Sequence, residues 1–275
     1  MRDILKRELE TNSIFTEQTE YALNSCKRIR SIIALSLALS GAKQHIALYV
    51  EYLHNADLLL GDLSAFNNNR IRRKAISFHI KYGEATAIQE AQGLLFAANS
   101  ELAMACNDHI ILIKINGLLA AKTQFKYLTN IQLDKLSDRK RQEYGLKMAK
   151  VKTGTLFVIL FMLSLQSSSI HSDASTDFKV SDASTLSTDF KVSESIGYSF
   201  GLCYQIVNDL KNRVADTKKN GAIKNICNYF THNELIDVFS YNLEQFKEKA
   251  TEIGIYNQLL SELYRYLLLS FKKLI

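Results

Sequence analysis

Apolar residues recur at helical spacing along most of the chain. The repeat is i, i+3, i+4 and i+7, which is the period of one buried face of an α-helix. It predicts helices over the stretches Ile32–Leu39, Ile46–Leu60, Ala85–Ala105, Ile110–Leu119, Met148–Leu165, Ile196–Leu210 and Ile255–Leu274. Several of these are apolar on nearly every side, as helices inside a large bundle are. We therefore predict an all-α fold with a single domain over residues 1–275.

One segment interrupts the helical pattern. Ser175–Ser181 recurs letter for letter as Ser187–Ser193, which marks a tandem duplication. The segment is rich in Ser, Thr and Asp, so it offers little apolar area to offset the entropy of ordering. We expect a low-complexity surface loop inserted at about 167–195. Elsewhere the chain has no proline and only 11 glycines, so few helix breakers are present.

Composition places the chain among globular proteins, with 47% hydrophobic and 23% charged residues. The longest nearly unbroken apolar run, Leu156–Leu165, is about half the ~20 residues that a membrane-spanning helix needs, so we expect no membrane span. Met1–Lys6 alternates charges and has no apolar signal core, so we expect a cytoplasmic protein. The cysteines lie far apart, without zinc-site spacing, and are expected to be reduced.

The formal charge of +6 suits nucleic acid, an anionic surface or an anionic small molecule. The basic clusters Lys27–Arg30 and Arg70–Lys74 are short and lack the interleaved aromatics of nucleic-acid platforms. We expect no nucleic-acid partner, and a compact anion such as diphosphate fits these clusters better. The sequence contains no phosphate-binding P-loop, no serine nucleophile elbow and no HExxH zinc motif.

Several short motifs occur in a fixed order. They are Lys27-Arg28-Ile29-Arg30, His54, Gly61-Asp62, Ile71-Arg72-Arg73, Gly83-Glu84-Ala85-Thr86-Ala87, Lys152-Thr153-Gly154 and Gln205-Ile206-Val207-Asn208-Asp209. In order and spacing this set resembles the trans-isoprenyl diphosphate synthase (polyprenyl synthetase) family over roughly residues 20 to 230. The resemblance implies a helical bundle around a central cavity and a homodimer or a heterodimer with a related synthase. It also implies Mg²⁺, isopentenyl diphosphate and an allylic prenyl diphosphate as ligands.

The family's two aspartate-rich motifs are eroded in this chain. The first falls on 61–67 and keeps only Asp62, and the second falls on 204–212 and keeps only Asp209. An asparagine keeps an oxygen ligand without the charge that Mg²⁺ favours, and glycine has neither. We expect a weakened magnesium site, with Asp57, one turn from Gly61, as a possible displaced ligand. The candidate metal ligands are Asp62, Asn67, Asn208, Asp209, Asn212 and Asp216.

The basic residues of the family pattern are better kept. The resemblance assigns the homoallylic diphosphate to Lys27, Arg30, His54 and Arg73, and the allylic diphosphate and its chemistry to Arg72, Lys152, Thr153, Gln205 and Lys224. Lys27 and Arg30 are three apart, so we expect them on one helical face near an N-terminal turn. His54 and Gly61 are seven apart, or two turns of one helix, and should face the same side.

Three functions stay open. The first is a prenyltransferase that condenses isopentenyl diphosphate with an allylic diphosphate. The second is a catalytically impaired regulatory subunit that pairs with an active synthase, as the lost carboxylates suggest. The third is a class I terpene synthase, because Asn208, Asn212 and Asp216 are spaced i, i+4 and i+8 like its metal triad. It ranks third because the homoallylic set would then have no role.

Overall fold

The computed structural model describes residues 16–24, 27–38, 41–125, 132–133, 135–169, 183–220 and 225–275. At 168–169, 183–189 and 214–220 it describes the backbone alone. The chain divides into two compact units, Met1–Asn107 with Gln166–Ala174 and Asp108–Leu165 with Ser175–Ile275. The all-α fold class is confirmed, because the regular elements are helices apart from one short hairpin.

The first unit is built around one long central helix. Its elements in chain order are α1 (Glu17–Leu23), α2 (Ile29–Leu37), α3 (Lys43–Asp62), β1 (Ile71–Arg72), β2 (Ala75–Ile76), α4 (Phe78–Tyr82) and α5 (Glu84–Ala105). Helix α3 packs against α2 and α5. It buries both polar and apolar residues, including Tyr49 and Tyr52. Helix α5 buries the small side chains Ala87, Ala91 and Ala98, which lets the two helix axes approach closely.

A tight hairpin follows α3. Ile71 pairs with Ile76 and Arg72 with Ala75 in the antiparallel register. The turn between the strands consists of Arg73 and Lys74, with φ angles of 50° and 72°. Two successive residues in the left-handed region are what a two-residue hairpin turn requires, although glycine and asparagine adopt it more easily. The hairpin thus places two basic residues at its tip.

The second unit contains the longest helix. Its elements are α6 (His109–Thr123), α7 (Asp138–Ala149), a π-helical turn (Lys150–Gly154), α8 (Thr155–Ser169), α9 (Ala183–Asn220), a 3₁₀ turn (Ile226–Tyr229), α10 (His232–Glu252) and α11 (Gln258–Leu274). Helix α9 packs against α10, α11 and the π turn. Phe157, Phe200 and Phe246 are buried there, and the rings of Phe157 and Phe200 meet edge to face at 4.8 Å.

Glycines allow α9 to lie directly on the chain of the π turn and α8. A Cβ atom built on Gly201 would lie 2.6 Å from the Cα of Gly154. One built on Gly197 would lie 2.4 Å from the backbone nitrogen of Val158. Backbone atoms cannot yield as a flexible side chain does, so these two positions admit only glycine without displacement of a helix.

The prediction of a loop at 167–195 is wrong for all of its described residues. Helix α8 continues to Ser169 and α9 begins at Ala183, so the second copy of the duplicated segment is helical. The Nζ of Lys114 lies 4.6 Å from the ring centre of Phe190 and Ser193 is fully buried. This cation–π contact with α6 gives Phe190 a partner that the composition did not reveal. The first copy, Ser175–Ser181, lies outside the described residues.

The continuous helical stretch Asp138–Ser167 is long and apolar enough by composition to cross a membrane. Within the structure, however, 78% of its most apolar window is buried. The core helix of a bundle has the same combination of length and apolarity, so this stretch is weak evidence for a span.

Candidate active site

The first basic cluster lies at the start of α2. The expectation that Lys27 and Arg30 share a helical face is wrong, because the helix begins at Ile29 and its N-cap, Arg28, has a φ of 57°. Lys27 precedes the helix and is exposed, whereas Arg30 is buried at 8% exposure. The first turn of α2 carries no acidic side chain and no side-chain cap. Its backbone N–H groups therefore add to the positive potential of the neighbouring bases.

His54 and Arg73 are brought together, as the family pattern implies. His54 lies on α3 and Arg73 at the tip of the hairpin, 19 residues later. The Nη2 atom of Arg73 lies 3.5 Å from Nε2 of His54. Both side chains are half-buried. The guanidinium can only donate, so Nε2 of His54 accepts in this contact. The guanidinium N–H groups that the contact does not use are charged donors suited to a compact anion.

Asp62, at the end of α3, is held by the hairpin. Nε and Nη2 of Arg72 donate to the two carboxylate oxygens, forming a bidentate ion pair. Nδ2 of Asn69 donates to Oδ1 of Asp62 at 2.7 Å. The carboxylate is 5% exposed and the arginine 33%. The first retained aspartate is therefore fully engaged with donors of its own unit.

The other two positions of the first aspartate-rich motif also differ in chemistry from carboxylates. The side-chain amide of Asn67 donates to the carbonyl oxygen of Gly61 at 2.6 Å, closing the end of α3. An ionised aspartate has no proton to donate to that carbonyl, so asparagine has a local structural role here. At Gly61 itself a Cβ atom would meet only Nδ2 of Asn67, at 3.6 Å, which is ordinary contact. Asp57 lies exposed on the same helix.

In the second unit the predicted catalytic residues lie on two adjacent elements. Lys152 is exposed on the π turn, and Thr153 beside it is buried. The hydroxyl of Thr153 donates to Oε1 of Gln205 on α9. A π turn adds one residue to a helical turn and changes the direction of the side chains that follow, and such turns often occur at functional sites. Thr153 and Gln205 are thus neighbours in the structure.

Asp209 ends this hydrogen-bonded chain. Nε2 of Gln205 donates to Oδ1 of Asp209 at 2.6 Å, and the backbone N–H of Ile226 donates to Oδ2 at 2.9 Å. The side chain of Asn225 donates to the carbonyl oxygen of Asp209 at 2.6 Å. Asp209 is 5% exposed and Asn225 is completely buried. This aspartate therefore fastens the segment after α9 onto the helix.

The remaining candidate ligands are neutral or fall outside the description. Asn208 is half-buried and Asn212 exposed on α9, and Asp216 belongs to the same helix, although its side chain lies outside the described residues. Lys224 also lies outside the described residues. Among the side chains that the structure describes, no group of three His, Cys, Asp or Glu residues could hold a metal ion.

The polyprenyl synthetase family profile matches residues 12–257. The chain belongs to the polyprenyl synthetase family. It is 30% identical over 213 residues to a geranylgeranyl diphosphate synthase of Pseudescherichia vulneris, a match that covers 70% of this chain and 62% of that synthase. The chain thus spans less than two thirds of that relative's length.

Solved structures share the fold of this chain. A geranyltranstransferase from Thermotoga maritima superposes with a TM-score of 0.74, 20% identity, and coverage of 98% of this chain and 97% of the other. A geranyltransferase from Helicobacter pylori, solved with magnesium and isoprenyl diphosphate, has a TM-score of 0.59, 21% identity, and coverage of 99% and 96%. At this level of identity the likeness establishes the fold alone.

Sequence reasoning missed several residues that hold the candidate site residues in place. Asn69 holds Asp62 and Asn225 holds Asp209, and neither asparagine was among the predicted site residues. Ser31 donates to the buried carboxylate of Glu51 at 2.6 Å, at a position where the family has proline. The N–H of Ser64 donates to Glu84 at 3.1 Å, and hydrogen bonds from Ser64 lower the pKa of Glu84. Polar residues in loops and one acid at a helix start were the available signals.

Proposed function

We propose that this chain is a prenyltransferase of the isoprenyl diphosphate synthase type, which condenses isopentenyl diphosphate with an allylic prenyl diphosphate. The observation that carries the proposal is the approach of Arg73 to His54 within 3.5 Å. A guanidinium and an imidazole from separate elements converge there, and the guanidinium supplies charged N–H donors of the kind that a diphosphate accepts. In this proposal Lys27 and Arg30 bind the same homoallylic diphosphate.

The allylic diphosphate leaves as pyrophosphate, whose growing charge must be neutralised in the transition state. Within the first unit we assign that role to the guanidinium of Arg72. Arg72 is oriented in advance by its ion pair with Asp62, so little reorganisation is needed when charge develops. In the second unit, the hydrogen bond from Thr153 to Gln205 joins the π turn to α9. It fixes the backbone that carries Lys152.

Magnesium is the metal of this family, and the residues present in this chain can be compared with the ligands that it prefers. The retained carboxylates, Asp62 and Asp209, already accept hydrogen bonds on both oxygens. Asn67, Asn208 and Asn212 would contribute neutral amide oxygens, and Gly61 contributes none. A hard cation gains most from anionic oxygens, so this set fits a cluster of magnesium ions poorly. No step of the proposed reaction is routed through the metal.

A non-catalytic subunit that pairs with an active synthase is the second candidate. The hydrogen-bonded aspartates Asp62 and Asp209 favour this candidate, because they stabilise the fold whether or not the chain catalyses a reaction. Helix α5 also exposes an apolar stripe, with Ile88, Leu95 and Phe96 at 42%, 36% and 72% exposure. Residues at i, i+7 and i+8 share one helical face. We propose that a second copy of this chain or a related synthase covers this stripe.

A single-turnover assay tests the first proposal against the second. The purified chain is mixed with isopentenyl diphosphate, farnesyl diphosphate and millimolar Mg²⁺, next to a variant that carries Gly61→Asp, Asn67→Asp, Asn208→Asp and Asn212→Asp. Product from the natural chain supports the prenyltransferase. Product from the variant alone would instead support the non-catalytic subunit, because the fold would then be intact and only the metal ligands would be missing. Binding of isopentenyl diphosphate by both, without product from either, also favours the non-catalytic subunit.

A further inference from the structure

The two retained aspartates share one property, although they lie in different units. Both oxygens of each carboxylate accept hydrogen bonds from the same chain. Asp62 is bound by Arg72 and Asn69, and Asp209 by Gln205 and the N–H of Ile226. They are 4% and 5% exposed.

Metal coordination would have to compete with these bonds. To take a cation, Asp62 would have to release a bidentate arginine and leave a partly buried guanidinium without its counter-charge, which is costly. Asp209 would have to release a buried backbone N–H, and a buried donor without an acceptor is also costly. The positions on either side of the retained aspartates have lost their charge. The residues present therefore fit a metal cluster poorly, because the two aspartates are already hydrogen-bonded and the positions around them are neutral.

We propose that Asp62 and Asp209 are positioning residues in this chain and not metal ligands. Asp62 fixes the guanidinium of Arg72 and, through it, the hairpin whose tip carries Arg73. Asp209 fixes the chain at Asn225 and Ile226 as it leaves α9. The inference rests on the proposed function only where it says that the arginines so positioned bind diphosphate.

Metal-free binding of inorganic pyrophosphate separates the two roles of Asp62, because they predict opposite signs. If Asp62 is only a metal ligand, it has no role in EDTA. Its replacement by a neutral residue then removes a negative charge beside the anion site, so pyrophosphate binding should stay equal or tighten. A positioning residue is needed with or without metal. We expect Asp62→Asn to weaken pyrophosphate binding in EDTA about tenfold, the scale of one charged hydrogen bond. Glu90→Gln, which removes a carboxylate from α5 of the same unit, should not weaken it.

Limited trypsin digestion in EDTA provides a second measurement that needs no ligand. Trypsin cleaves after Arg72, Arg73 and Lys74, and a hairpin released from Asp62 opens more often. We expect cleavage there to be about tenfold faster in Asp62→Asn and unchanged in Glu90→Gln. Equal cleavage of Asp62→Asn and the natural chain, or tighter pyrophosphate binding by the variant, would overturn the inference for Asp62. If the natural chain binds no pyrophosphate, the proposed function fails and the digestion alone decides the role of Asp62.

Hydrogen exchange tests Asp209 in the same way. In Asp209→Ala the amide of Ile226 loses its acceptor and should exchange at least about tenfold faster in EDTA. Exchange in Asn208→Ala, one residue earlier on α9, serves as the control. Protection of Ile226 that persists in Asp209→Ala would contradict a positioning role. Protection in the natural chain that depends on added Mg²⁺ would do so as well.

Discussion

Arg73, at the tip of the hairpin, reaches back to His54 on α3, with 3.5 Å between Nη2 and Nε2. Nothing in the spacing of 19 residues predicts this approach, since it depends on a two-residue turn whose residues both have positive φ. The turn aims Arg73 at the helix, and the ion pair of Arg72 with Asp62 fixes the strand beside it. The hairpin therefore holds two adjacent arginines, Arg72 and Arg73, in fixed positions.

His54→Ala should raise the Kd for isopentenyl diphosphate about tenfold, because one hydrogen bond to an anionic ligand contributes about 1.5 kcal/mol. Isothermal titration calorimetry measures it. His45→Ala is the matched control, since His45 lies at the start of the same helix and pairs with Glu101 at 2.8 Å. In a double-mutant cycle His54→Ala and Arg73→Ala should be non-additive because the side chains are in contact. Equal losses from His45→Ala and His54→Ala would argue against a specific site.

Lys74→Gly should stabilise the protein by about 1 kcal/mol, because a left-handed residue with a Cβ is strained and glycine is not. Its φ is 72°. Urea unfolding measures the free energy. Lys74→Ala keeps the Cβ and removes the charge, so it should give no such gain. A gain of equal size from both variants would mean that charge, and not backbone strain, is responsible.

Gly201→Ala should lower the free energy of unfolding by about 1–3 kcal/mol, the usual cost of overpacking. The new Cβ would lie 2.6 Å from the Cα of Gly154. Gly93→Ala on α5 is the control, because nothing lies within 4 Å of its Cβ position. It should raise the free energy of unfolding by about 0.5–1 kcal/mol through helix propensity. Thermal unfolding of both variants would reveal whether the close helix contact exists.

Glu90 and Glu84 should affect the pH dependence of stability in opposite directions. Burial raises the pKa of Glu90, so its contribution is complete below the ordinary value of 4.5 and is lost as the pH rises through the raised pKa. Glu90→Gln should therefore raise the Tm at pH 7 and leave it nearly unchanged at pH 4.

Hydrogen bonds from Ser64 lower the pKa of Glu84, so its contribution is present above the ordinary value and is lost as the pH falls through the lowered pKa. Glu84→Gln should lower the Tm at pH 7, and the difference should shrink toward acid pH. Calorimetric scans across this range measure both variants. The same sign for the two would contradict the structural environments described for these acids.

Helices with a marked apolar stripe could be predicted from the chain, and those stabilised by other means could not. Ile46–Leu60 was predicted within α3 and Ala85–Ala105 within α5, with boundaries near the observed ones. Helix α10 was missed, although Thr231 and Glu234 form a capping box at its start and Phe239 and Phe246 lie on its buried face. Its many charged residues obscured that stripe. The helical second repeat copy was missed because Phe190 finds its partner on a distant helix.

The sequence by itself determined the fold class, the family and the identities of the lost carboxylates, because residue type, order and helical period are properties of the chain alone. Only the tertiary structure decided what the retained residues touch. It pairs Asp62 with Arg72 and Asp209 with Ile226, separates Lys27 from the helix of Arg30, and aims Arg73 at His54. The positions of Arg73 and Lys27 depend on a left-handed turn and a helix boundary, both of which the surrounding packing selects over the preferences of the local sequence.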